Sequence, residues 1–100
     1  MATEDFDFAP PPFKPDEALA GLTRSLRELG LSPRGKLFER RGTAIARATV
    51  DGDVLAAARV KRPSRSSPEW QQHVLRSSAD VRDFVADLKK QLAQWSDRDD

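Results

Sequence analysis

The feature that most restricts how this chain can fold is an Asp-Gly turn within residues 51–53. It separates two β-compatible runs, at 43–50 and 54–61, in which apolar and polar positions alternate. Alternation with a period of two is typical of β-strands, and an Asp-Gly pair between two such runs is typical of a hairpin. The sequence therefore predicts an antiparallel sheet built around this hairpin.

The length of the loop decides which side chains share a face of the hairpin. A three-residue loop pairs Val50 with Val54 and places the alternating alanines of both runs on one face. Arg47 and Arg59 then point away from the alanines, on the opposite face. A two-residue loop would shift the register by one and mix the faces, so the apolar pattern favours the longer loop.

Two helices are predicted, one on each side of the strand-forming region. The first covers about 16–29, with a proline at its start, leucines on one face and a glycine at its end. The second begins at a cap formed by Ser77 or Ser78 and repeats apolar side chains at helical spacing as far as Trp95.

Further strands are predicted at 36–41 and 70–76, so the chain is expected to form a single α+β domain. The order is a helix, a four-stranded antiparallel meander and a C-terminal helix, with both helices packed on the alanine-rich face of the sheet. Residues 1–14 are predicted to be a flexible acidic tail that contains prolines and phenylalanines. The domain then covers 15–96, and 97–100 form a frayed acidic C-terminus.

Composition argues against several functional classes. The chain has no cysteine, no tyrosine and one histidine, which excludes thiol nucleophiles, disulfides and cysteine-ligated metals. His73 is the one obvious candidate for a general base, and its position in a predicted strand favours a structural role. Asp80, Asp83 and Asp87 recur at helical spacing and could in principle meet a cation, but Asp83 and Asp87 are interpreted as solvated side chains and Asp80 as part of the helix cap. We therefore expect a protein that is not an enzyme and that uses no cofactor and no metal.

The chain also lacks the sequence features of a membrane or exported protein. Its longest uninterrupted apolar run, at 54–58, is far shorter than the roughly 20 residues that span a bilayer. The N-terminus is acidic, where a signal peptide would be basic. A cytoplasmic location without a membrane partner is therefore expected.

The formal net charge of +1 hides a basic middle between acidic ends. Residues 1–17 carry −4, residues 18–68 carry +7 and residues 69–100 carry −2. The cations of the middle segment are predicted to form a basic surface on the sheet and on the loop at 62–68. The candidate binding residues are Arg40, Arg41, Arg47, Arg59, Lys61, Arg62 and Arg65.

This surface predicts a small non-enzymatic binding module that contacts an acidic protein partner. Two alternatives stay open. The same cations could bind single-stranded nucleic acid, or the chain could be an interaction protein that forms a homodimer through its leucine-rich helix or its alanine-rich sheet. A further hypothesis is that the tail segment Asp5-Phe6-Asp7-Phe8 competes with a partner for the basic surface.

Two resemblances bear on these expectations. The order of elements from Lys36 to about Trp95, four strands and then a capped helix, is similar to that of the single-stranded-DNA-binding transcriptional-coactivator domain. That domain has a curved four-stranded sheet and a C-terminal helix used in dimerisation. The whole chain, with its acidic Phe-rich start, Ala-Pro-Pro-Pro-Phe-Lys-Pro-Asp-Glu-Ala-Leu at 9–19 and Val-Arg-Asp-Phe-Val at 81–85, resembles a family of small uncharacterised bacterial proteins. The resemblances imply a sheet topology and a bacterial source, and neither brings an activity or site residues with it.

Overall fold

The structure, a computed structural model, describes residues 13–64 and 66–99 of the chain. It shows a helix, five strands and a second helix, which confirms a single α+β domain. The elements are α1 (Pro15–Glu28), β1 (Ser32–Arg34), β2 (Leu37–Arg40), β3 (Thr43–Asp51), β4 (Val54–Val60), β5 (Trp70–Leu75) and α2 (Ser78–Asp99). Every neighbouring pair of strands is antiparallel, and the strands follow chain order across one sheet. The segment 1–12, which includes most of the predicted tail, lies outside the described residues.

Helix α1 forms where the sequence predicts it, within one residue at each end. Pro15 occupies the first turn, where its missing N–H costs nothing. At the other end Gly30, with φ +93°, donates its N–H to the carbonyl of Arg27 at 3.0 Å. The N–H of Leu31 donates to the carbonyl of Leu26, also at 3.0 Å. These two bonds form a Schellman motif, which ends the helix and turns the chain toward the sheet.

Strand β1 is not predicted from the sequence. It is three residues long and has Pro33 at its centre, and proline cannot donate a hydrogen bond to a neighbouring strand. Proline is tolerated here because β1 is an edge strand: it pairs with β2 on one side, where Pro33 lies opposite Phe38, and with no strand on the other side among the described residues. The predicted number of four strands is therefore wrong, since in the sequence Pro33 indicates only the end of a helix.

The β3–β4 hairpin has a two-residue loop, so the predicted three-residue loop is wrong. Asp51 pairs with Val54, which leaves Gly52 and Asp53 as the loop. Gly52 has φ +61°, and the φ of Asp53 is negative. This combination fits a type II′ turn, whose twist matches that of the two strands and which favours glycine at its first central position.

The observed register changes which side chains of β4 face the helices. Arg59 pairs with Ala46, whereas Arg47 pairs with Ala58, so the two arginines lie on opposite faces of the sheet. We call the face that the helices cover the inner face; it carries Phe38, Ala46, Ala48, Leu55, Ala57, Arg59, His73 and Leu75. The opposite, outer face carries Arg34, Leu37, Glu39, Arg47, Thr49, Ala56, Ala58, Val60, Trp70, Gln72 and Val74.

A β-bulge in β3 breaks the alternation at the other end of this hairpin. Phe38 pairs with Ala46 and Glu39 pairs with Ala44, so Ile45 is the extra residue. Ile45 and Ala46 are both buried, although they are neighbours in a strand. The bulge and the register of β4 together place alanines on both faces of the sheet, so the single alanine-rich face that the sequence predicts does not form.

The hydrophobic core lies between the inner face and the two helices. Leu22 and Leu26 of α1 and Leu88 of α2 are fully buried within it. Helix α2 contributes its apolar side chains at the predicted helical spacing, and they are Val81, Phe84, Val85, Leu88, Leu92 and Trp95. Within the described part of the chain, neither helix is long and apolar enough to cross a membrane.

Ser77 forms the N-terminal cap of α2. Its Oγ accepts a hydrogen bond from the N–H of Asp80 at 3.1 Å, and the carboxylate of Asp80 accepts one from the N–H of Arg76 at 2.9 Å. This pair resembles a capping box, in which two backbone donors at the helix start find side-chain acceptors. Of the two serines that the sequence offers as caps, the structure therefore selects Ser77.

We predict that Ser77→Ala lowers the free energy of unfolding by about 1 kcal/mol, because the N–H of Asp80 loses its acceptor. Ser78→Ala is the matched control, since Ser78 is the exposed next residue and its loss should cost less than about 0.5 kcal/mol. Urea denaturation of the two variants measures the difference. Equal losses at both positions would contradict the assignment of the cap.

Candidate functional site

Arg59, one of the predicted binding residues, is buried beneath α2. It is 9% exposed, and its Nε donates to Oδ2 of Asp87 at 2.6 Å. Its Nη1 donates to the carbonyl of Val60 at 3.0 Å. A guanidinium removed from water needs such partners, because a buried charge without them is strongly unfavourable. Arg59 therefore attaches α2 to the sheet and does not belong to a basic surface.

The interpretation of Asp87 as a merely solvated carboxylate is wrong. Its side chain is 39% exposed and accepts the short hydrogen bond from Arg59. The available signal in the sequence is its position between Phe84 and Leu88, at the border of the apolar stripe of α2. Asp80 is used in the helix cap and Asp83 is exposed. Among the residues that the structure describes, no three histidine or carboxylate side chains could together hold a metal ion.

His73 lies on the inner face, next to Ala57 and against α2. Its ring meets that of Phe84 edge-on, with centroids 5.4 Å apart and planes at 69°. Its Nε2 is a buried polar atom for which the described residues provide no hydrogen-bond partner. A general base must reach the proton that it removes, and this nitrogen is shielded from solvent. The geometry favours a packing role for His73, as its position in a strand suggests.

Four of the predicted binding residues lie at one end of the sheet. Strand β3 begins and β4 ends there, so the β2–β3 turn and the β4–β5 connection are close together. We call this set the basic end, and it consists of Arg40, Arg41, Lys61 and Arg62. Arg41, Lys61 and Arg62 are exposed, whereas Arg40 is half-buried and interacts with a neighbouring group.

The β4–β5 connection is closed at its base by the N–H of Lys61, which donates to the carbonyl of Glu69 at 2.9 Å. The Lys61 and Glu69 side chains are 3.9 Å apart and both exposed, so their ion pair contributes little to stability. Within the connection the N–H of Ser67 donates to Oγ of Ser64 at 3.1 Å. Arg65, another predicted binding residue, belongs to this connection but lies outside the described residues.

Arg41 occupies an unusual backbone conformation at the tip of the β2–β3 turn. Its φ is +55° and that of Gly42 is +79°, as in a type I′ turn. Asn, Asp or Gly is preferred at this position, because other side chains lose about 1 kcal/mol when they adopt it. Among the described residues, Arg41 is the only non-glycine with a positive φ.

Arg47 lies on the outer face, and its guanidinium stacks on Trp70. Its Cζ is 4.6 Å from the centroid of the ring, within the range of a cation–π interaction. Ala58 pairs with Arg47, and Val60 pairs with Trp70; both small side chains are fully buried. The two large side chains therefore shelter part of the outer face. The sequence places Arg47 on a basic face but does not reveal this contact with Trp70.

An open groove of about 600 Å³ runs between α1 and α2. Its lining includes Leu22, Val81 and Val85, together with the cations Arg24 and Arg82. None of the residues predicted for binding lines the groove.

Comparison with known proteins finds no similar protein. No family model matches the chain, and neither the curated proteins nor the solved structures give a significant match. The resemblances to the coactivator domain and to the bacterial family therefore stay predictions from the sequence. The fifth strand is also a departure from the four-stranded sheet that the coactivator resemblance implies.

The contact between Arg59 and Asp87 leads to a prediction on stability. Asp87→Asn should lower the free energy of unfolding by roughly 1–3 kcal/mol, because it leaves a buried guanidinium without its counter-charge. Asp83→Asn, an exposed carboxylate on the same helix, should change it by less than about 0.5 kcal/mol. Chemical denaturation of the two variants provides the comparison. If they unfold alike, the ion pair does not hold α2 in place.

Proposed function

We propose that this chain is a non-enzymatic binding module whose basic end takes an acidic segment of a protein partner. The observation that carries the proposal is the conformation of Arg41. A cation stands at a turn position where Gly or Asn would be more stable, and strained residues of this kind concentrate at functional sites. Arg41 and Arg62 project from adjacent loops at the same end of the sheet, where both are exposed.

The spacing of the two loops suggests the form of the ligand. The β2–β3 turn and the β4–β5 connection are about two strand spacings apart, or roughly 10 Å. An extended peptide rises about 3.3 Å per residue and directs every second side chain to the same face, so carboxylates two or four residues apart, at about 7 or 13 Å, bracket this separation. The nearby carboxylates Glu39 and Glu69 lie within ion-pair distance of other cations, Glu39 at 3.7 Å from Arg34 and Glu69 at 3.9 Å from Lys61.

A protein partner is favoured over single-stranded nucleic acid for two reasons. The buried position of Arg59 removes a cation from the track of phosphate contacts that the sequence predicts across the sheet. Single-strand binders also stack bases on aromatic rings, and one face of Trp70 is already occupied by Arg47.

The proposed homodimer through the leucine-rich helix or an alanine-rich sheet face receives less support. Leu22 and Leu26 are fully buried in the core of the protomer, and so is Ala46. These side chains therefore pack inside one protomer and are not exposed to a second copy. A cytoplasmic location stays a prediction from the sequence.

Binding to the basic end is tested with a labelled extended peptide that carries glutamates at alternate positions, titrated at about 50 and 200 mM salt. We expect salt-sensitive binding that weakens about tenfold or more in Arg41→Glu/Arg62→Glu. The matched control Lys89→Glu/Lys90→Glu makes the same charge change on exposed positions of α2 and should leave affinity within about twofold.

Equal weakening in both double variants would mean that binding follows net charge alone, and would contradict the site. A labelled single-stranded oligonucleotide of similar length is titrated in parallel. Tighter binding of the oligonucleotide, lost in Arg41→Glu/Arg62→Glu, would assign the basic end to nucleic acid instead of protein.

Substitution of Arg41 should change stability and peptide binding in opposite directions. Arg41→Asn should raise the free energy of unfolding by about 1 kcal/mol, since Asn tolerates a positive φ, while it weakens peptide binding. Arg62→Asn should weaken binding without raising stability, because Arg62 does not have the positive φ that strains Arg41. Denaturation and peptide titration of the two variants measure both effects. A lower free energy of unfolding in Arg41→Asn would show that the positive φ of Arg41 does not destabilise the fold.

A further inference from the structure

The two edges of the sheet are built differently. Strand β1 is three residues long, has a proline at its centre and ends in Arg34, features that prevent another strand from pairing with it. Strand β5 is six residues long and contains neither proline nor a charged residue. It pairs with β4 along its whole length and is the last strand of the sheet, so among the described residues no strand pairs with the backbone groups of its free edge.

The side chains of β5 also lack the usual protection of an edge. Gln71 and Gln72 are exposed and uncharged, and Val74 is 52% exposed. Val74 is the more exposed of the two large apolar side chains that the described part of the chain leaves open to solvent. An uncharged edge strand with an exposed valine is a site for strand addition.

We propose that β5 pairs in antiparallel fashion with β5 of a second copy of this chain, which joins two five-stranded sheets into one of ten strands. Antiparallel partners share a face, so the inner and outer faces continue across the junction only in certain registers. One such register places a two-fold axis at Gln72. Trp70 then lies opposite the partner's Val74, and Gln71 lies opposite the partner's His73.

This register is self-complementary. It covers the exposed Val74 with the partner's Trp70 on the outer face, and pairs of aromatic and β-branched side chains stabilise neighbouring strands. Gln72 meets its own copy, and two amides can exchange hydrogen bonds. No charged side chain of β5 is placed opposite another.

The helices fit the same arrangement. Helix α2 lies over β4 and β5, where Asp87 contacts Arg59 and Phe84 contacts His73. With strands about 4.8 Å apart, two α2 helices related by the axis at Gln72 would lie about 10 Å from each other. Helices in contact pack at about 8–10 Å, so the second copy brings the two α2 helices together without forcing them apart. A strand from an unrelated partner offers no such match, which favours a second copy.

The test uses sedimentation of the full chain across the micromolar range, where we expect a mass that rises toward twice 11.2 kDa. Gln72→Lys and Gln72→Glu should each raise the dissociation constant at least tenfold, because each places like charges opposite one another. An equimolar mixture of the two variants should regain the dimer, because Lys then meets Glu. Val50→Lys is the control, at the other exposed apolar side chain and on β3.

Amide hydrogen exchange locates the interface independently. The β5 amides should exchange more slowly as concentration rises, whereas those of β1 should not change. A chain that stays monomeric throughout, a dimer that survives Gln72→Lys, or a dimer without added protection of β5 would each overturn the proposal. Failure of the mixed variants to associate would overturn the register centred on Gln72. None of these outcomes depends on peptide binding at the basic end, so the two proposals fail separately.

Discussion

The two-residue turn at Gly52 and Asp53 fixes the register of the β3–β4 hairpin, and much of the remaining structure follows from that register. It places Arg59 on the inner face, where a charged side chain is tolerated because Asp87 of α2 accepts its hydrogen bond at 2.6 Å. This charge-assisted hydrogen bond joins α2 to the sheet at one point. The packing of Phe84 against His73, one turn earlier in α2, holds the helix at a second point.

Both helices pack on the inner face, so within residues 13–64 and 66–99 the outer face is covered mainly by its own side chains. Arg47 stacks on Trp70, and the pair shelters the small residues of β4 that lie beneath it. The guanidinium of Arg47 on the outer face is therefore engaged by Trp70. Of the predicted binding residues that the structure describes, the exposed ones lie at the loops, where the chain reverses direction and side chains extend beyond the sheet. The strained φ of Arg41 belongs to this region, so the cost in stability and the proposed binding surface coincide.

Local patterns in the sequence predict most of the helices and strands but not the register in which the strands pair. The extent of α1 and the cap of α2 follow from signals within a few residues, such as Gly30 and Ser77. The faces of β4 do not, because the apolar pattern favours a register in which Arg59 is outside. Its burial depends on Asp87, 28 residues later, and no local pattern reports such a contact. Pro33 is a similar case, since it can form a strand only because the sheet ends there.

The edges of the sheet connect the two proposals. In a dimer centred on Gln72 the two copies of β5 run in opposite directions, so the two basic ends lie at opposite ends of the joined sheet. A strand of six residues is about 20 Å long, and the basic ends are therefore separated by at least that distance. A single short acidic segment cannot reach both. A partner with two acidic segments on a linker of matching length would bind the second site at a high effective concentration, and would gain affinity without any new contact. The dimer would thus select for the distance between two acidic segments of its partner, whereas the basic end of one protomer selects for the carboxylates within one segment.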